Sequence, residues 1–292
     1  MRAAAPVLVV GATGTQGGAV ARRLIMDGRA VRGGVRRADT ATARALARAG
    51  ALLAPVDFDD PESIERAARG TSAMFAMATP FVEGGVDAEV RHARNLVDAA
   101  VAAGVPHLVY SSVASADRRT GVPHFESKAA VERYLASSSL TWTVVAPVEF
   151  LENVHAPWAL GALREGRIED FVPADVRRDF VAADDLALVA AHVLGDPAGW
   201  VSRRVEVASD RVTGRRLAEL VAAATGRPIE YVASPLPPGM DDDLSRMKRW
   251  ISTVGYDVDL SSLRASLPGI DWMTAERWVA TRPWSRLLAV TA

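Results

Sequence analysis

Two clusters in this chain combine residue types and spacings that can do chemistry. The first is Gly11-Ala12-Thr13-Gly14-Thr15-Gln16-Gly17, with a glycine at every third position. The second is His124 with Lys128, four residues apart, following Ser111 and Ser112. A glycine-rich turn suits an anion. Its backbone can approach a pyrophosphate without Cβ obstruction, and the N–H groups and dipole at a helix start then hold the charge. Imidazole, ammonium and hydroxyl groups can hold or donate a proton beside a reacting carbonyl. No Gly-Lys-Ser/Thr follows the glycines, which excludes a P-loop.

The elements that must position these groups can be read from periodicity. Val7 to Val10 reads as a buried strand and Gln16 to Asp27 as a helix stopped by Gly28, so the glycine turn joins strand to helix. Strands follow at Ala30 to Arg36, Ala51 to Val56, Ser72 to Ala78, Leu108 to Ser111 and Thr141 to Ala146. Helices alternate with them at Thr40 to Arg48, Pro61 to Arg69, Ala88 to Ala103 and Ser127 to Leu135. Continuous apolar strands separated by helices imply an α/β fold, a Rossmann-type doubly wound parallel sheet covered on both faces.

After Pro147 the rhythm loosens. A helix is expected from Asp184 to Leu194, a strand from Arg204 to Ala208 and a helix from Gly214 to Thr225. The end should hold helical pieces carrying Trp250, Trp272 and Trp278. Six of the seven tryptophans lie beyond residue 150, which suggests a smaller, irregular α/β lobe. The domains are therefore expected at 1–153, with a later return of the chain near 179–208, and at 154–292. The first would bind the nucleotide, and the second would serve mainly substrate or regulation.

The end of the second strand selects the cofactor. A ribose 2′-hydroxyl is usually met by an acid about 20 residues after the glycines. This chain has Arg36-Arg37, with Asp39 as the nearest acid. Two guanidinium groups suit a 2′-phosphate, so NADP(H) is expected over NAD(H).

Composition narrows the class. With 34 Lys+Arg against 35 Asp+Glu, the net charge of −1 argues against direct nucleic-acid binding. The absence of cysteine excludes disulfides and thiolate chemistry. The five histidines are scattered, so no metal site is expected. No apolar run approaches the roughly 20 residues that span a bilayer. Met1-Arg2 followed by Ala3 to Val10 imitates a signal peptide, yet no A-x-A-like cleavage site follows, so cytoplasm is the expected compartment. Only two of the 34 basic residues are lysines, Lys128 and Lys248. A lysine held against 32 arginines suggests a need for an ammonium group.

The chain resembles the NmrA-like branch of the atypical short-chain dehydrogenases/reductases. The resemblance rests on the glycine turn with Gln16, Val31-Arg32-x-x-Val35-Arg36, Asp57-Phe58-Asp59-Asp60 and Tyr110-Ser111-Ser112. It continues through His124-Phe125-x-x-Lys128, Glu132, Pro147-x-x-Phe150-x-Glu152-Asn153 and Asp179-Phe180-Val181-x-x-Asp184-Asp185. It implies that Gly11, Thr13, Gly14, Thr15 and Gln16 contact pyrophosphate and adenosine, with Arg36 at the 2′-phosphate and Asp57 and Phe58 beside adenine. It also implies Ala78, Thr79 and Pro80 along the nicotinamide ribose, Lys128 on its hydroxyls, and Phe150 to Asn153 near the nicotinamide ring.

The wider superfamily uses Tyr-x-x-x-Lys, and here His124 stands at the tyrosine position. Two roles stay open for it, proton donation or substrate orientation on one side and a packed helix-start residue on the other. Ser111 or Ser112 could meet substrate or simply make a turn. Asp184-Asp185 reads as a helix cap. Glu132 is expected to pair locally, Glu149 and Glu152 are candidate pocket groups, and Phe81, Phe150, Trp158 and Phe171 could wall an apolar pocket.

Three functions follow from these observations. The leading one is an NADPH-dependent oxidoreductase passing hydride to a small apolar carbonyl, quinone or enone. The second is an NADP(H)-binding redox sensor that changes partners with cofactor occupancy; a homodimer or a regulatory protein partner is expected alongside the small apolar substrate. The third is a biosynthetic enzyme using the fold for a non-redox step.

Overall fold

A computed structural model describes residues 4–289. The Met1-Arg2-Ala3 start of the leader-like stretch lies outside the described residues. The chain runs β1 (Val7–Val10), α1 (Thr15–Met26), β2 (Val31–Val35), α2 (Ala41–Arg48), β3 (Leu52–Pro55), α3 (Pro61–Ala68), β4 (Ala73–Ala76), α4 (Gly85–Ala102), β5 (Leu108–Ser111), α5 (Pro123–Ala136) and β6 (Trp142–Pro147). It continues with β7 (Glu149–Phe150), α6 (Leu160–Arg164), β8 (Arg167–Asp170), β9 (Arg177–Val181), α7 (Ala183–Gly195), α8 (Pro197–Trp200), β10 (Arg203–Val207), β11 (Asp210–Thr213), α9 (Gly214–Thr225) and β12 (Glu230–Ala233). The last elements are α10 (Asp242–Thr253), α11 (Leu260–Ser266), α12 (Ala275–Ala280) and α13 (Trp284–Leu288).

Two compact units result. The first holds the chain through Arg119, then Pro123–Pro147 and Leu186–Glu206; the second holds Thr120–Val122, Val148–Asp185 and the chain from Val207.

The first unit is built on a seven-stranded sheet in the order β10-β6-β5-β4-β1-β2-β3. All pairings among β1 to β6 are parallel. Every residue of β1, β4 and β5 is buried, as strands covered on both faces require. Leu8, Val10, Met74, Leu96, Leu108, Tyr110 and Val144 belong to its core. This is the Rossmann-type α/β fold read from the sequence, and its parallel strands bring the C-terminal ends of β1 to β5 to one edge.

Two helix starts differ from expectation by more than one residue. Helix α4 begins at Gly85 rather than Ala88, after Gly84 at φ +87°. Helix α5 begins at Pro123 rather than Ser127, because proline lacks only an N–H that the first turn leaves unpaired anyway. His124 and Lys128 therefore share one helix.

The second unit is more regular than its sequence suggests. It contains a three-stranded sheet, β11-β9-β7, and a two-stranded parallel pair, β12-β8. Strand β9 escapes a hydropathy reading because Arg178 and Asp179 are among its buried residues. Leu151, Phe180, Leu217, Trp278 and Trp284 build the core. Trp272 lies in irregular chain before α12 rather than on a helix. Among the described residues, no helix is long and apolar enough to cross a membrane.

Candidate functional site

The glycine turn leaves β1 through Gly11 at φ +60°, a conformation costly for a residue with a Cβ. Gly17 has a different role. A Cβ there would lie 2.5 Å from the carbonyl oxygens of Val10 and Gly11, so only glycine lets α1 sit this close to the strand end. Gly14 caps α1 without a side-chain hydrogen bond, and no acid occupies the first turn. Helices α2, α3, α9 and α12 are instead capped by Thr40, Asp60, Thr213 and Thr274. The amides at the start of α1 thus lack the capping oxygen those helices have, and Gly14 and Thr15 are exposed. That arrangement fits an anionic diphosphate.

Around this turn the first unit gathers other predicted residues at the ends of its parallel strands. Arg36 follows β2, is exposed, and lines a cleft of about 530 Å³ together with Asp57. Arg37 does not line that cleft. Its guanidinium is held by Asp39 through Nε at 3.1 Å and Nη2 at 2.9 Å. Phe58 follows β3, with its carbonyl accepting from Asn95 Nδ2 at 2.8 Å and its ring edge-on to His92. Ala78 is buried beyond β4, and Thr79 Oγ1 accepts from the Phe81 amide at 3.3 Å, shaping the Thr79-Pro80-Phe81 turn.

The two serines are engaged. Ser111 Oγ donates to Gln16 Oε1 at 2.7 Å, tying the end of β5 to the glycine turn. Ser112 Oγ donates to Glu132, which also accepts from Arg204 Nε at 3.0 Å. Glu132 thus does pair, but with residues far from it in sequence rather than with its helix neighbours.

Lys128 is buried on α5. Its Nζ donates to the Ala78 carbonyl at 2.7 Å and makes long contacts of 3.4 Å to Tyr110 Oη and the Ser111 carbonyl. Glu89 Oε1 lies 3.0 Å away, and Ser127 Oγ donates to the other oxygen of that carboxylate. Burial opposes the ammonium charge, but Tyr110 and Glu89 outweigh it and hold the pKa of Lys128 above the usual lysine value. Burial also pushes the Tyr110 phenol up. Glu89 is the residue that sequence reasoning missed. It falls in the middle of a helical pattern, and only its complete burial marks it out.

His124 lies one turn before Lys128 and is buried, with its ring 4.7 Å from Phe125 and 6.0 Å from Phe81. Phe81 is 66% exposed and presents its ring on the surface of this unit.

The remaining candidates belong to the second unit. Phe150 ends β7, and Asn153 lies in the helical turn Leu151–His155. Phe171 is half-buried, and Trp158 is 78% exposed, so within its own unit Trp158 walls no enclosed pocket. Glu149 and Glu152 do structural work there. Glu149 pairs with buried Arg178 at 3.0 Å. Glu152 accepts from Trp278 Nε1 at 3.0 Å and from the Ala183 amide, and burial raises its carboxyl pKa despite those bonds. The Asp184-Asp185 cap reading is corrected. Both residues lie inside the first turn of α7, and buried Asp185 accepts instead from Ser209 Oγ at 2.5 Å and the Met273 amide at 2.9 Å.

Comparison with known proteins gives concordant results. A model of the NmrA-like family matches residues 4–277. An NAD(P)H azoreductase of Xenophilus azovorans is 31% identical over 231 residues, covering 79% of this chain and 77% of that protein. An NADPH-dependent quinone oxidoreductase of Escherichia coli, solved with NADPH, superposes with a TM-score of 0.77 at 25% identity, covering 94% of this chain and 98% of its own. NmrA, a negative transcriptional regulator solved with NADP, shares the fold at a TM-score of 0.76 and 19% identity, over 95% of each chain.

Proposed function

This chain belongs to the NmrA-like family, and we propose that it is an NADPH-dependent reductase acting on a small, flat, apolar carbonyl, quinone or enone. The observation that carries the reading is the uncapped, glycine-shaped start of α1, with Lys128 on the same strand-end edge of the sheet.

When bound, a reduced nicotinamide supplies the hydride. The residues here would do the rest. The amides of Thr13 to Gln16 would hold the diphosphate, Arg36 the 2′-phosphate, and Asp57 with Phe58 the adenine side. Ala78, Thr79 and Pro80 would border the nicotinamide ribose, and Lys128 would bind its hydroxyls. Phe81, exposed on the same unit, would border the apolar substrate. His124, Ser111 or Ser112 would orient the acceptor or donate a proton, and a quinone can instead take its proton from water. Arg36 supports NADPH over NADH, with Arg37 contributing less because Asp39 already holds it.

The test is NADPH consumption with a panel of quinones, enones, aldehydes and azo dyes, beside calorimetric titration with NADPH and NADH. Turnover with preference for NADPH is expected. Tighter binding of NADH would overturn the cofactor assignment, and failure to bind either would overturn the whole reading.

A second reading is a redox sensor that changes partner with cofactor occupancy. Two observations favour it: histidine stands where the superfamily has its catalytic tyrosine, and both serine hydroxyls are already engaged. Tight NADP binding without turnover on any acceptor would select it.

A further inference from the structure

We propose that Glu89 is the positioning residue for Lys128, holding its ammonium at the carbonyl of Ala78 so that the remaining N–H groups can meet ribose hydroxyls. This rests on the dinucleotide reading above. Glu89 sits on α4 and is completely buried, an environment that a carboxylate tolerates only with compensation. Its two oxygens have different partners. Ser127 donates to one, which fixes the carboxylate in place. The other lies 3.0 Å from Lys128 Nζ without an aligned hydrogen bond, so it acts on the ammonium through charge.

The ammonium is correspondingly under-used. It has three N–H groups and one short bond, to Ala78 at 2.7 Å, while its contacts to Tyr110 and Ser111 are long at 3.4 Å. Glu89 thus supplies what burial removes, a reason for this lysine to stay charged. Glutamine could match the shape of that partner but not its charge.

The scarcity of lysine makes the test direct. Carbon-13-labelled lysine gives two sets of side-chain resonances, from Lys128 and Lys248, and Lys248→Arg assigns them. In Glu89→Gln, the Lys128 Cε resonance should titrate at lower pH than in the wild type, and NADPH affinity should fall about tenfold. In a Lys128→Met background, Glu89→Gln should leave NADPH affinity unchanged, because the carboxylate then has nothing to position. Should Glu89→Gln fail to fold, Ser127→Ala, which frees the carboxylate while keeping its charge, should weaken NADPH binding only when Lys128 is present. An unmoved Lys128 resonance, or an affinity loss that persists without Lys128, overturns the proposal. If the wild type itself does not bind NADPH, the dinucleotide reading fails instead, and the Lys128 resonance still reports whether Glu89 governs the ammonium.

Discussion

The two lysines of this chain sit in opposite kinds of surroundings, one in each unit. Lys128 faces a single carboxylate and one short carbonyl bond in the first unit. Lys248 reaches Asp170 at 2.7 Å in the second, where Asp170 also takes Arg178 Nη1 at 2.8 Å and Arg178 in turn takes Glu149 at 3.0 Å. Two cations and two anions balance around Lys248. Burial opposes the charge of Asp170, yet Lys248 and Arg178 hold its carboxyl at about 2. A closed set of charges locks a fold, whereas an ammonium with spare donors is ready for something else. Composition alone marks both lysines as unusual, and only their partners separate the two roles.

The strongest way to break this comparison is to open the closed set. Arg178→Met leaves Glu149 without its cation and Asp170 with Lys248 alone, and should cost about 3–5 kcal/mol of stability in denaturant titration. NADPH affinity measured on the folded fraction should stay the same. A loss below about 1 kcal/mol would mean that the cluster is not locking anything.

Next in size is Lys128→Met, which should weaken NADPH binding about a hundredfold, or about 2.7 kcal/mol. Lys248→Met should not change the calorimetric constant. Equal effects from both lysines would erase the distinction drawn here.

Smaller again is the contrast inside the arginine pair. Arg36→Gln should reduce the preference for NADPH over NADH about tenfold. Arg37→Gln should leave that ratio nearly unchanged, because Asp39 already occupies its fork. A larger change from Arg37 would show that the nucleotide draws it away from Asp39.

The smallest effect concerns acid. Burial lowers the pKa of His107 in the first unit and of His155, stacked on Trp278, in the second. Both should be neutral when folded, while the unfolded chain takes up protons near pH 6.5. Their contribution is therefore complete above that pH and is lost as pH falls toward their folded values. Melting followed by tryptophan fluorescence should show stability declining below about pH 6.5. His155→Phe should flatten part of that slope, and an unchanged slope would remove His155 from the account.

The first unit was largely legible because its signals are local. Apolar runs mark β1, β4 and β5, and the glycines mark their own turn. Helix α5 starts four residues earlier than periodicity suggests because polar His124, Ser127 and Lys128 are among its buried residues. Glu89 could not be found from sequence, since its importance comes from Lys128, brought to it by the packing of α4 against α5. The second unit hides for a related reason. Its strand β9 buries Arg178 and Asp179, each ion-paired with a side chain of another element, Arg178 with Glu149 and Asp179 with Arg211. Hydropathy periodicity assumes polar residues face outward, and here they do not.

The strand order of the first unit also bears on how the protein is made. Strand β10, which covers β6 in the sheet, is encoded some fifty-five residues after it, beyond the whole Val148–Asp185 segment of the second unit. A nascent chain emerging from the ribosome through Pro147 would present β6 as a bare sheet margin, open to pairing with other chains. Vectorial synthesis thus leaves a window of vulnerability that closes only when Arg203 to Val207 arrives, and a chaperone that shields strand edges would find its substrate there.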